Sequence, residues 1–289
     1  MKILKILIFT SLISTVFDPP VNACTRVVYK GPAKTVITAR SMDWKSETDP
    51  NIWIFPKGMQ RNGKVGPLSV EWTSKYGSII ASAWDIATTD GMNEKGLVAN
   101  ILWLGESEYP KFDPNGNKQG IAISLWAQYV LDNFATVEET VKQLKNAPFV
   151  VVSDYIPGTE RFTTLHLSIS DAQGDNAVFE YIGGKLVVHH DPSYVVMTNS
   201  PVLRSNLHWT NIGKGYPAQL CFPERTGRPT ALFALPIIFT QYHRQATFAQ
   251  PWQAFSVLSG TVPFLLVFLP KQSRTYPLPA GVPYRIRRI

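Results

Sequence analysis

The sequence predicts an α+β domain in which two β-sheets lie between helical layers. Three observations carry this expectation. Short β-rich runs bounded by turn residues occupy Thr25 to Ala83 and return between Thr164 and Met197. Between them, Ile121 to Leu144 has the apolar spacing of two consecutive helices. No linker, repeat or low-complexity segment divides the chain, so one domain is expected, and the chain without its leader is long enough to bury a large core.

The first element is a leader. Met1 to Lys5 carries two lysines, Ile6 to Phe17 is almost wholly apolar, and Pro19-Pro20 stops any helix. Val21-Asn22-Ala23 then places a small residue before Cys24. This order of charge, apolar run and cleavage site predicts a secretory signal over residues 1–23, with Cys24 as the new N-terminus. The apolar run is too short to span a bilayer as a stable helix, so stable membrane insertion is not expected. The expected location is periplasmic or secreted. A lipoprotein signal with an acylated cysteine is the alternative, but Asn22 and the proline pair fit it poorly.

The next elements follow from turn signals. Thr25 to Lys30 and Thr35 to Arg40 read as two strands around Gly31-Pro32-Ala33. A hairpin centred on Pro32 sets Cys24 opposite Arg40 on one face of the sheet. Asn51 to Pro56 and Ser78 to Ala83 read as strands, and Asn93 in "GMNEKG" as a tight-turn residue. Ile121, Leu125 and Tyr129, with Trp126 and Val130, predict a helix over Ile121 to Phe134. Thr136-Val137-Glu138-Glu139 is a capping box that opens a second helix through Leu144. Three strands follow, at Thr164 to Ser170, Ala177 to Ile182 and Lys185 to His189, joined by turns at Asp171 to Asp175 and Gly183-Gly184. Tyr194 to Met197 is a further strand, and Asn199 sits in the turn that Pro201 closes.

Cys24 is the only cysteine in the first 220 residues. In an exported chain an unpaired cysteine points to a reactive thiol rather than a disulfide. An N-terminal cysteine brings its own base, because an α-amine titrates at about 8 and a thiol at about 8.5. The amine takes the thiol proton directly or through one water, so nucleophile and base share one residue. A guanidinium at Arg40 favours the thiolate. The carboxylate of Asp43, just past the strand end, is placed to hold the ammonium form of the amine.

Four motifs in order carry a resemblance: Cys24-Thr25-Arg26, "ITARSMDW", "TTDGMNEKGL" (Thr88 to Leu97) and "VMTNSP" (Val196 to Pro201). Together they resemble the choloylglycine hydrolase family, which includes bile salt hydrolases and penicillin V acylases. The similarity runs from Cys24 to about Gly215. The leader and the "SMDW" and "LWL" variants look most like the periplasmic Gram-negative branch. The resemblance implies a four-layer αββα N-terminal-nucleophile hydrolase sandwich, a small-molecule acyl amide substrate, no metal and no cofactor, and a homotetramer in intact relatives. Carried over residue by residue, it makes Cys24 the nucleophile, Arg40 and Asp43 its partners and Asn199 an oxyanion donor. The remaining oxyanion position falls on Trp103 in "NILWLGE". Relatives commonly have asparagine or tyrosine there. A contact through the backbone N–H leaves the ring to shape the acyl pocket, which favours a flat aromatic or fatty acyl group over a bile acid. The implied reaction is hydrolysis of a linear amide, of penicillin V acylase or conjugated bile acid hydrolase type. Cleavage of an N-acyl-homoserine lactone by the same residues is the alternative. An inactive or lipoprotein binding remnant of the fold is the alternative of another class.

The expected domain spans 24–215, and residues 216–289 are an aberrant C-terminal tail. From Tyr216 onward there are ten prolines in 74 residues, a single acid, Glu224, and no aspartate. Pro229, Pro236, Pro263, Pro270, Pro277 and Pro279 interrupt apolar runs. The family resemblance implies a "PGTNR…DRFVRA" segment here, with an arginine that completes the catalytic cluster. Reading Leu220 to Ile238 from the third base of each back-translated codon gives MFPGTNRTTDRFVRASYY as one allowed choice. The same offset turns Thr275 to Ile289 into ISSTRWRTVSDQED, which resembles the family's ending. The tail therefore reads as frameshifted, with the shift between about Ile212 and Leu220. Cys221 lies within it, and neither Arg225 nor Arg228 is assigned the missing arginine's role. A chain with this ending is expected to be unstable and inactive.

Other chemistries find no support. The five histidines lack metal-ligand spacing, and His189-His190 at a strand end is expected to face solvent. There is no glycine-rich phosphate loop and no G-x-S-x-G elbow. A net charge of +7 raises the question of nucleic acid. Eight basic residues against Glu224 in the tail account for all of it, so no nucleic-acid partner is expected.

Overall fold

The computed structural model describes residues 23–44, 46–203, 253–256, 264–269 and 284–286. The predicted leader up to residue 22, and Cys221, lie outside the described residues. The strands in chain order are β1 (Thr25–Lys30), β2 (Val36–Met42), β3 (Asn51–Phe55), β4 (Gln60–Asn62), β5 (Glu71–Thr73), β6 (Ser78–Ala83), β7 (Ala87–Asn93), β8 (Val98–Trp103) and β9 (Gly120–Ala122). After helices α1 (Trp126–Asn133) and α2 (Val137–Leu144) come β10 (Val150–Val152), β11 (Leu165–Ser170), β12 (Asn176–Ile182), β13 (Lys185–His190) and β14 (Val196–Thr198). The tail contributes β15 (Gln253–Ser256), β16 (Phe264–Leu269) and β17 (Tyr284–Ile286).

Two sheets form the body. One has eight strands in the order β13-β12-β11-β8-β7-β6-β3-β17, the other five in the order β14-β1-β2-β16-β15. The strand period of two sorts their side chains into layers. Leu167, Ile169 and Phe179 join Trp126, Val130 and Leu144 in the main core, so α1 and α2 cover one face of the eight-stranded sheet. The alternate residues turn to the other sheet. Arg26 of β1 donates to Ile169 O at 3.3 Å and to Asn176 Oδ1 at 2.7 Å, and Thr38 pairs with Ser170 at 2.7 Å. Burial pulls the Arg26 guanidinium down to about 9. The arginine of the Cys24-Thr25-Arg26 motif is therefore a bolt between the two sheets.

The hairpin differs from its predicted register. Its turn is the 3-10 segment Pro32–Lys34, closed by Gly31 N–H donating to Thr35 O at 2.8 Å. The loop is thus two residues longer than a turn centred on Pro32, with Lys30 opposite Val36. Arg26, not Cys24, lies opposite Arg40. A slip of two residues keeps every side chain on its face, whereas a slip of one would have reversed them. Cys24 and Arg40 therefore still face the same way, as diagonal neighbours.

The predicted helix over Ile121 to Phe134 begins late. Gly120–Ala122 pairs in parallel with β10, and a 3-10 turn at Ile123–Leu125 precedes α1. Ile121 and Ile123 are both buried at alternate positions, so the run satisfies a strand period before a helical one. The second helix is capped as expected: Thr136 Oγ1 accepts from Glu139 N at 3.1 Å. Glu139 reaches back to Ala135 N at 2.7 Å, one residue earlier than in the usual box. Gly91 explains itself by close approach. A Cβ there would lie 2.6 Å from Leu131 Cδ1 and 3.0 Å from Ile79 O, so only glycine lets α1 settle on β7.

The tail strands close the sheets' outer flanks. β16 pairs antiparallel with β2, Leu266 opposite Arg40, and β17 pairs with β3. Pro263 and Pro270 bracket the Phe264–Leu269 strand in the sequence instead of interrupting it.

Candidate active site

β1 and β2 bring the nucleophile candidate to its partners. Cys24 is 2 % exposed and lies just before β1. Its Sγ is 3.7 Å from Arg40 Nη2, which donates to it, and 3.6 Å from the backbone oxygen of Asp43. Arg40 is itself fixed. Nη1 donates to Asp90 Oδ2 at 2.8 Å and Nη2 to Ile101 O at 3.0 Å. Asp90 has no exposed surface, and its other oxygen accepts from Asn100 Nδ2 at 2.9 Å. The guanidinium thus spans from the five-stranded sheet to β7 and β8 of the other sheet.

Asp43 is half-buried at the end of β2. Burial pushes its carboxyl above the usual range, opposed by the Ser41 hydrogen bond and the Arg40 charge. Ser41 Oγ donates to Asp43 Oδ2 at 3.3 Å and accepts from Thr25 N at 3.3 Å. On the other side of β1, Thr198 Oγ1 donates to Cys24 O at 2.8 Å. Asn199 follows directly. Its Oδ1 is buried and has no hydrogen-bond partner among the described residues.

A cavity of about 390 Å³ opens beside the thiol. Cys24, Arg40, Trp44, Trp84, Trp103 and Tyr155 are among its lining residues. Trp44 and Trp103 meet with ring centroids 5.5 Å apart, and the Arg161 guanidinium lies 4.1 Å over the Trp103 ring. Trp103 is therefore a cavity wall, not core. Ile86 and Tyr155 at the same cavity are 59 % and 53 % exposed, so the mouth is apolar. Such a chamber suits an apolar acyl group placed with its carbonyl at Sγ.

The structure brings Cys24, Arg40, Asp43 and Trp103 together and sets Asn199 in the turn directly after β14, the strand paired with β1. Asn93 makes the expected turn, and it also clamps α1 by donating to Leu131 O and Phe134 O at 2.9 and 2.7 Å. Sequence reasoning missed Asp90, Asn100 and the Asp154 to Thr163 wall. Asp90 lies inside "TTDGMNEKGL", where an acid in the middle of an otherwise buried strand was the available signal. Among the described residues, no group of three or more His, Cys, Asp or Glu side chains is arranged to hold a metal ion. None of their helices is long and apolar enough to cross a membrane.

The Arg40–Asp90 pair yields a stability prediction. Asp90→Ala strands a buried cation, and losing one partner of such a pair costs about 3–5 kcal/mol. Urea unfolding of the variant checks it, and a loss below about 1 kcal/mol, the value of a surface pair, would contradict the burial.

A family model described as "Linear amide C-N hydrolases, choloylglycine hydrolase family" matches residues 24–218. The chain is 55% identical over 202 residues to a penicillin V acylase of Pectobacterium atrosepticum, covering 66% of this chain and 54% of that protein. It is 34% identical over 184 residues to a bile salt hydrolase/transferase of Clostridium perfringens, covering 62% and 54%. The solved penicillin V acylase of Agrobacterium tumefaciens superposes with a TM-score of 0.59 at 56% identity, covering 66% of this chain and 58% of that one. The chain thus spans about half the length of the curated relatives it matches.

Proposed function

Because the chain belongs to the choloylglycine hydrolase family of linear amide C–N hydrolases, we propose that it hydrolyses a linear acyl amide through the thiol of Cys24. The observation that carries this reading is a thiol at a cavity wall, 3.7 Å from a guanidinium that Asp90 and Ile101 hold still. In this proposal the leader is removed after Ala23 on export to the periplasm or beyond, which frees the α-amine of Cys24. The amine takes the thiol proton, and Arg40 stabilises the thiolate. Sγ attacks the amide carbon, and the negative charge moves to the carbonyl oxygen. Asn199 Nδ2 and the backbone N–H of Trp103 donate to that oxyanion. Collapse breaks the C–N bond, and the departing amine takes the proton from the α-ammonium. A water deprotonated by the α-amine then cleaves the thioester, which releases the acid and restores the thiol. Asp43 holds the ammonium form between steps, where a carboxylate with few other partners serves best.

Trp44, Trp84, Trp103 and Tyr155 favour a flat aromatic or fatty acyl group. The expected order of hydrolysis is phenoxyacetyl and aliphatic-acyl amides ahead of bile-acid amides, measured as release of the free amine. A bile-acid amide cleaved fastest would overturn the acyl-pocket assignment. An N-acyl-homoserine lactone in the same panel tests the second substrate reading, which the apolar mouth at Ile86 and Tyr155 equally admits.

Two further outcomes check the mechanism. Mass spectrometry of the mature N-terminus is expected to find an unmodified Cys24, and a lipid adduct there would replace the enzyme with a membrane-anchored binding protein. Arg40→Leu is expected to slow alkylation of Cys24 by iodoacetamide about tenfold near neutral pH. Unchanged alkylation kinetics would remove Arg40 from the mechanism. We also propose that the chain as written runs out of frame between about Ile212 and Leu220. The match to the family model, which ends at residue 218, supports this placement.

A further inference from the structure

The turn that carries Asn199 is held at three points. Before it, Thr198 Oγ1 donates to Cys24 O at 2.8 Å. Within it, Gly105 N donates to Ser200 Oγ at 3.0 Å. After it, Leu203 N lies 3.0 and 3.2 Å from the two oxygens of Glu180. Only the last tether is to a charged group, and hydrogen bonds to an ionised acceptor are roughly twice as strong as neutral ones.

Glu180 is well placed to be a fixed point. It has no exposed surface, and it sits on β12 between a histidine on each neighbouring strand. His166 Nδ1 of β11 and His189 Nε2 of β13 each lie 3.1 Å from one of its oxygens. His189 thus turns inward, against the expectation that it faces solvent. Burial alone would raise the Glu180 carboxyl, but the bonds from His166, His189 and Leu203 N–H hold it down at about 2. The leucine side chain is 1 % exposed and packs with Cys24, Leu102, Val178 and Met197. Asn199 is therefore suspended between two buried anchors, Met197 and Leu203, one of them pinned to a rigid three-strand platform.

We infer that Glu180 is a positioning residue, whose carboxylate fixes the turn so that Asn199 meets the developing oxyanion. This rests on the oxyanion role proposed for Asn199. A purely structural need at this site could be met by apolar side chains of similar volume, at no cost in charge burial. A carboxylate wedged among three donors instead fixes a direction, and a displacement of about 1 Å costs about 10² in rate.

The test is single-turnover acylation of Cys24 by p-nitrophenyl phenoxyacetate in the leader-free chain carrying the re-framed ending, read as nitrophenolate release, since an activated ester reports slow acylation. Glu180→Gln is expected to lower the acylation rate constant about 10- to 100-fold. The half-saturating ester concentration and the rate of iodoacetamide alkylation should stay within about twofold, because the thiol and cavity are untouched. In an Asn199→Ala background the same change should have no further effect. Multiplying losses in the double variant, or alkylation falling in step with acylation, overturns the inference, as does a normal acylation rate in Glu180→Gln. A normal rate in Asn199→Ala alone instead overturns the oxyanion assignment on which it rests.

Discussion

In the leader-free chain with its ending re-framed, Cys24→Ser is expected to lower hydrolysis of the preferred acyl amide by about 10³-fold or more, the scale seen when a nucleophile is removed from a cooperating set. The serine hydroxyl would occupy the same pocket, with the same amine beside it and the same Arg40 within reach. What it lacks is an accessible anion at neutral pH. A thiol is a few per cent anion and strongly nucleophilic near neutral pH, whereas an alkoxide is out of reach there. The replacement is nearly isosteric at a site only 2 % exposed, so the variant should keep its melting temperature to within a few degrees. Product release under saturating substrate, beside a thermal melt, gives the answer. A serine variant retaining a tenth or more of the parent rate would rule out thiolate attack.

Restoring the family ending produces the other large effect. A chain carrying the re-framed sequence after about Ile212 should turn over at least about 100-fold faster than the chain as written, the scale of one oxyanion-type charge contact. Two causes act together. In the proposed re-framing, the restored segment would supply an arginine to the catalytic cluster. The tail also reaches the site through the sheet, because β16 lies beside β2 with Leu266 opposite Arg40 and Phe264 opposite Met42. A substituted strand at that place changes the footing of the very residues that flank the thiol. Resequencing the gene comes first, followed by parallel expression of both versions. A confirmed in-frame reading whose product is soluble and as active as the re-framed chain would dismiss the shift.

The layered fold and the thiol were legible in the sequence because they rest on local signals. Turn residues delimited β6, β11 and β12 to within a residue or two. The pairing of Cys24 with Arg40 was readable only in parity. Turn length fixes register, and Lys34 at φ 59 lengthens the turn in a way that a Gly-Pro signal does not disclose. Asp90 and Asn100 stayed hidden for another reason. Their roles depend on which face of β7 and β8 meets the five-stranded sheet, a relation between strands far apart in sequence. His189 was misread likewise: it stands at a strand end, yet strand pairing sets it opposite Val178 and its Nε2 meets Glu180.

Arg40 both steadies the thiol and, through Asp90 and Ile101, fastens one sheet to the other. In the proposed mechanism, catalytic readiness and cohesion of the layers share a single fastening. A small sliding of the sheets would lengthen the contact with Sγ before any strand came apart. Cys24 reactivity is in consequence a strain gauge for the sandwich: on warming, alkylation should slow relative to a free thiol at temperatures where circular dichroism still records intact strands. Selection for a more thermostable chain and selection for a more reactive thiol would then pull on the same residue in the same direction, an unusual alignment for an active-site arginine.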